Sequence, residues 1–106
     1  MKKIQTLTQT ELTDLTKKGR VVLEFAADWC GDCRFLEPFL PEIEPDFKDS
    51  QFYQIDRDGS VDLAKKMNIL GIPSFVVYQD GKEIGRLVNG ERKTKAQVEA
   101  FLRSID

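Results

Sequence analysis

The chain has 106 residues, 41% of them hydrophobic and 32% charged, with a formal net charge of −2 and no histidine. This fits a single globular domain, 1–106, with one core, and argues against a disordered chain. No apolar stretch approaches the roughly 20 residues of a spanning helix, so no membrane is expected, and acidic and basic residues alternate without the basic stripe that a nucleic-acid partner requires.

The start, Met1-Lys2-Lys3, is basic but is followed by no apolar run of the signal-peptide kind, which predicts a cytoplasmic protein. Residues 3–7 read as a short strand. Thr8-x-x-Glu11 has the form of a capping box, Leu12 and Leu15 give its helix an apolar face, and Gly19 closes it. Val21 to Ala27 is a nearly continuous apolar run, the pattern of a parallel strand buried on both faces, interrupted only by Glu24. A helix then starts near Cys30 or Gly31, with Phe35, Leu36, Phe39, Leu40, Ile43 and Phe47 at helical spacing. Pro38 predicts a kink in it, and Pro41 and Pro45 a second break. Gln51 to Ile55 reads as a strand and Asp56-Arg57-Asp58-Gly59 as a turn. Val61, Ala64 and Met67 share one face of a short helix. Ser74 to Tyr78 and Glu83 to Val88 form a hairpin around Asp80-Gly81. Thr94-x-x-Gln97 is a second capping box, opening a helix with Val98, Phe101, Leu102 and Ile105 on one side. Arg92-Lys93-Thr94-Lys95 reads as its solvated start. The order β-α-β-α-β-α-β-β-α predicts an α/β fold: a mixed central sheet of about five strands flanked by four helices.

Both cysteines and the only tryptophan lie in Trp29-Cys30-Gly31-Asp32-Cys33. Two intervening residues suit either a disulfide or a pair of metal-binding thiolates. In a reducing cytosol such a pair points to redox or metal chemistry rather than to a structural staple. The absence of histidine removes Cys-His nucleophile pairs and imidazole-ligated metals. Cys30 sits where a helix begins, and free N–H groups with the helix dipole favour a thiolate there. Cys33, one turn inside, should be more buried and less ionised. Cys30 is therefore expected to attack a substrate disulfide and Cys33 to resolve the mixed disulfide. Gly31 leaves the turn open for a partner chain. Asp32 suits the helix dipole, yet its charge disfavours a thiolate beside it. Glu24, if buried, should hold its proton tightly and could carry the proton of Cys33; on a solvated rim it would do nothing. For Gly71-Ile72-Pro73, which precedes a strand, the residues alone favour an ordinary trans proline.

Taken together, Phe25-Ala26-Ala27-Asp28-Trp29-Cys30-Gly31-Asp32-Cys33, the kinking Pro38, Ile55-Asp56 and Gly71-Ile72-Pro73 with its hairpin resemble the thioredoxin family, in order and over roughly the whole chain. The resemblance implies a thioredoxin fold and thiol–disulfide oxidoreductase activity through a redox-active Cys30–Cys33 disulfide. It implies that Pro73 is cis beside the dithiol, that Ile72 pairs its backbone with substrate, that Trp29 flanks the docking groove, and that Glu24 takes the place of the family's buried acid. Four positions depart from the pattern. Glu24 stands for an Asp, Ala26 for a second tryptophan, Phe52 for a lysine near the buried acid, and Asn89 near the glycine of the docking loop.

The expected function is that of a cytosolic, monomeric dithiol reductant of protein or low-molecular-weight disulfides, recharged by an NADPH-dependent thioredoxin reductase. No Gly-x-Gly-x-x-Gly or P-loop pattern is present, so no bound cofactor is expected. Two alternatives compete. A zinc module would need Asp28, Asp32 or a second chain to complete the ligand set, and an interaction protein of the same fold would bind without turnover.

Overall fold

The computed structural model describes residues 1–105. Its core is one five-stranded sheet in the order β1-β3-β2-β4-β5, with β1 Lys2–Ile4, β2 Arg20–Ala26, β3 Ser50–Asp56, β4 Ser74–Gln79 and β5 Lys82–Leu87. The first three strands run parallel; β4 is antiparallel to β2 and to β5. The sheet is therefore mixed, as expected. The N-terminal strand is shorter than expected and lies at the edge, paired only with β3.

Alternation along β2 sorts its side chains to two faces. Val21, Leu23 and Phe25 join Leu12 of α1 (Gln9–Thr16) and Leu63 and Ala64 of α4 (Val61–Lys66). Val22 points the other way, with Phe52, Phe75 and Val77, under α2 (Gly31–Leu36), α3 (Leu40–Ile43) and α5 (Lys95–Arg103). Full burial of side chains such as Phe25 and Phe75 contributes about 1.5–3 kcal/mol each. Val61, expected on the buried face of its helix, is 42% exposed, and Leu63 takes its place inside.

Local chemistry sets the ends of the elements. Thr8 Oγ1 accepts the Glu11 N–H at 3.2 Å and Glu11 Oε1 accepts the Thr8 N–H at 2.9 Å, the reciprocal capping box. Thr94 and Gln97 repeat it at α5. Asp80 and Gly81 have φ of 50° and 88°, the left-handed pair that a tight hairpin needs. The long helix expected after Cys30 is an interrupted arm. Three-ten turns at Glu37–Phe39 and Glu44–Phe47 follow α2 and α3, because Pro38, Pro41 and Pro45 remove N–H donors from the ladder. Counted as one helical unit, this arm makes four with α1, α4 and α5. No helix among the described residues is long and apolar enough to cross a membrane.

Candidate active site

The site forms at the carboxyl end of β2, where the parallel strand hands over to α2. Cys30 is the N-cap of α2, with extended backbone, and its Sγ accepts the Cys33 N–H at 3.2 Å. Both cysteines are free thiols and both are buried. Cys33 is 3% exposed, and burial, reinforced by its hydrogen bond with Cys30 and the nearby negative groups, pushes its thiol up to about 12. The Ile72–Pro73 peptide is cis, which reverses the reading of the residues alone and agrees with the family pattern. The Ile72 carbonyl oxygen accepts from Cys30 Sγ at 3.9 Å.

A groove of about 440 Å³ opens over Cys30, bounded by Trp29, Asp32, Arg57, Ile72 and Gly90. Trp29 is 62% exposed and held in place: its Nε1 donates to Asp58 Oδ2 at 2.5 Å, and the Arg57 guanidinium lies 5.6 Å from the ring centroid. Gly71 is where two loops touch. A Cβ there would stand 2.4 Å from both the Asn89 carbonyl carbon and the Gly90 nitrogen. Ser74 Oγ donates to the Gly71 carbonyl at 2.5 Å. Asn89 does not line the groove; Gly90 does. The Asn89 side chain turns inward and accepts the Glu91 N–H (2.9 Å) and the Lys93 ammonium (2.8 Å).

Residues 92–95 are not the uniformly solvated helix start expected. Lys93 is buried, and its Nζ donates to Asn89 Oδ1, the Glu91 carbonyl (2.6 Å) and the Asn89 carbonyl (3.3 Å). Burial holds this ammonium below the ordinary lysine range. Arg92 reaches across to α2, with Nε 2.9 Å from Asp32 Oδ1 and its guanidinium 4.3 Å from the Phe35 centroid. Asp32 is thus paired, an arrangement that a motif of adjacent residues does not disclose.

Glu24 is fully buried, not on a rim. Burial pushes its carboxyl up to about 7, against a lowering by Gln54; Glu37 adds to the rise and Lys3 opposes it. The β2–β3 register sets Gln54 directly beside Glu24. Gln54 Nε2 donates to Glu24 Oε1 at 2.7 Å and also to Glu37 Oε2 at 3.0 Å, while Glu24 Oε2 has no protein partner. Lys3 Nζ lies 3.2 Å from Glu37 Oε1. Where Phe52 withholds a lysine, a glutamine and an edge-strand ion pair surround the acid instead. Sequence reasoning missed Gln54, Glu37, Arg92 and Lys93. Only Glu37 carried a signal, four residues after Cys33 and so one turn along the same helical side. Among the described residues, no group of three or more His, Cys, Asp or Glu is placed to hold a metal ion.

The thioredoxin family model matches residues 3–104. Thioredoxin H2-2 of Oryza sativa is 34% identical over 79% of this chain and 63% of its own length. An Aspergillus fumigatus thioredoxin is 36% identical over 86% of this chain and 82% of its own. The crystal structure of oxidised mitochondrial thioredoxin 3 from Saccharomyces cerevisiae superposes with a TM-score of 0.79 at 30% identity, covering 97% of this chain and 94% of that one. The alignment thus spans under two thirds of the rice relative and most of the other two. With this match, Cys30 capping α2, Cys33 inside it and a cis proline after Ile72, the chain belongs to the thioredoxin family.

Proposed function

We propose that this protein is a thiol–disulfide oxidoreductase that reduces protein or low-molecular-weight disulfides. The observation that carries the reading is the asymmetry of the two thiols: Cys30 borders the groove, and Cys33 is held behind it. Cys30 gives its thiol proton to solvent and its sulfur attacks one sulfur of the substrate disulfide, forming a mixed disulfide and expelling the first substrate thiolate. Glu24 takes the proton of Cys33, whose sulfur attacks Cys30 Sγ; the Cys30–Cys33 bond forms and the second substrate thiolate leaves. Both leaving thiolates take protons from solvent, so the substrate gains two electrons and the dithiol loses two. Ile72 offers its backbone, and Trp29 its exposed ring, to the docked chain.

The reading extends to an NADPH-dependent thioredoxin reductase as electron source and to a reducing compartment, the cytoplasm on the sequence reading. Two relatives are named as mitochondrial, so the proposed chemistry asks for a reducing compartment without giving its address. The test is oxidation of NADPH with a thioredoxin reductase and either insulin, cystine or a small mixed disulfide. Insulin reduction supports a general protein reductant, and turnover of the small disulfides alone supports a specialised one. No turnover of any, with the dithiol pre-reduced chemically as a control, overturns the activity.

A further inference from the structure

Asp32 stands two residues after Cys30 in the first turn of α2, and the two border the same groove. Asp28, two residues before Cys30, borders a separate pocket of about 250 Å³ beside Cys33. The sulfur that attacks a disulfide is a thiolate, and a carboxylate beside it opposes that negative charge. Asp32 left alone therefore holds Cys30 back. Its effect is set by which cation reaches it.

The other cations near the groove are committed elsewhere. Arg34, two residues after Asp32, donates from Nη1 to the Asp28 carbonyl at 3.0 Å. Arg57, which also borders the groove, pairs with Asp58 at 3.0 Å and lies over the Trp29 ring. The Lys93 ammonium turns inward to oxygens of Asn89 and Glu91. Among the described residues, Arg92 alone pairs with Asp32, its Nε 2.9 Å from Oδ1. The Phe35 ring holds the same guanidinium from a second side, at 4.3 Å, and Phe35 packs in turn on Phe39 at 6.0 Å. Lys93 ties the preceding residues of that loop from inside. Arg92 is thus in place before any substrate docks.

We propose that Arg92 is a positioning residue for the Cys30 attack: by pairing with Asp32 it balances the carboxylate and frees the Cys30 sulfur to carry negative charge at the groove. This rests on the oxidoreductase reading above. Arg92 bonds to neither sulfur and acts through Asp32.

The experiment measures how fast Cys30 of the reduced protein displaces iodide from iodoacetamide at about pH 6.5, below the ordinary cysteine range. Adducts are located by peptide mass spectrometry. Iodoacetamide is uncharged and needs no docking, so the rate reports on the sulfur itself. Wild type is compared with Arg92→Gln, Asp32→Asn and the double variant. Arg92→Gln leaves an unbalanced carboxylate and should slow alkylation about threefold, whereas Asp32→Asn leaves an unbalanced cation and should speed it by about the same factor. The double variant is neutral there again and should return to near the wild-type rate. Salt at about 0.5 M should draw the four rates together. Slowing in both single variants, or a double variant no faster than Arg92→Gln, makes the ion pair a mere brace and overturns the proposal. An Arg92→Gln rate equal to that of wild type overturns it as well. A wild type that is alkylated at Cys30 but reduces neither insulin nor a small disulfide overturns the oxidoreductase reading instead, whatever the order of the four alkylation rates.

Discussion

Glu24 is a carboxyl group fully buried in the central strand of the sheet. A carboxylate in this place lacks water, and only one of its oxygens has a donor. Its folded-state value of about 7 stands above the 4.5 of an unperturbed glutamate. The folded protein therefore binds the proton more tightly than the unfolded chain. Stability from this group is fully present below about pH 4.5 and is lost as pH rises through about 7, a loss of about 3 kcal/mol. Glu24→Gln should flatten this part of the stability curve, measured as urea unfolding midpoints between pH 4.5 and 8.5; an equal slope in wild type and variant would contradict it. The same variant should slow the resolving step, seen as accumulation of mixed disulfide on Cys30 in quenched reactions. The Cys33 thiol, held up by burial, then has no internal base.

At the scale of elements, the groove depends on two loops braced against each other. Lys93 fastens residues 89–91 from inside, and Gly71 permits their backbone to approach. Gly71→Ala places a methyl group against backbone atoms that cannot swing aside, so the docking loop must shift. The expected result is a loss of kcat/KM on insulin with activity on a small aromatic disulfide largely kept; equal kinetics on insulin would refute the contact. Lys93→Met leaves buried oxygens without their donor and should cost about 1–3 kcal/mol in chemical denaturation. These braces were not legible in the sequence, whereas the elements they join were. Capping boxes, the Asp80-Gly81 turn and the apolar run of β2 act over a few residues, so the chain displays them directly. The pairing of Glu24 with Gln54 arises from a parallel register between strands 30 residues apart. The pairing of Asp32 with Arg92 spans 60 residues. No local pattern encodes either. The reading of residues 92–95 as solvated failed at Lys93 alone and for the same reason, since what buries Lys93 is a loop fold rather than a periodicity.

Over the whole molecule, the sheet order sets the two cysteines against different openings. β2 lies at the centre, with β4 and the 71–73 loop on one side and β3 and β1 on the other. Cys30 opens to the first side and Cys33 to the second. The central claim is that these two thiols have unequal and fixed roles, and cysteine replacement reads this out directly. Each of Cys33→Ser and Cys30→Ser is incubated with a disulfide-bearing protein, the reaction is quenched by acid, and covalent adducts are resolved on a non-reducing gel. Cys33→Ser should accumulate a mixed disulfide through Cys30, and Cys30→Ser should accumulate none. Equal trapping by both variants, or trapping by Cys30→Ser alone, would contradict the account.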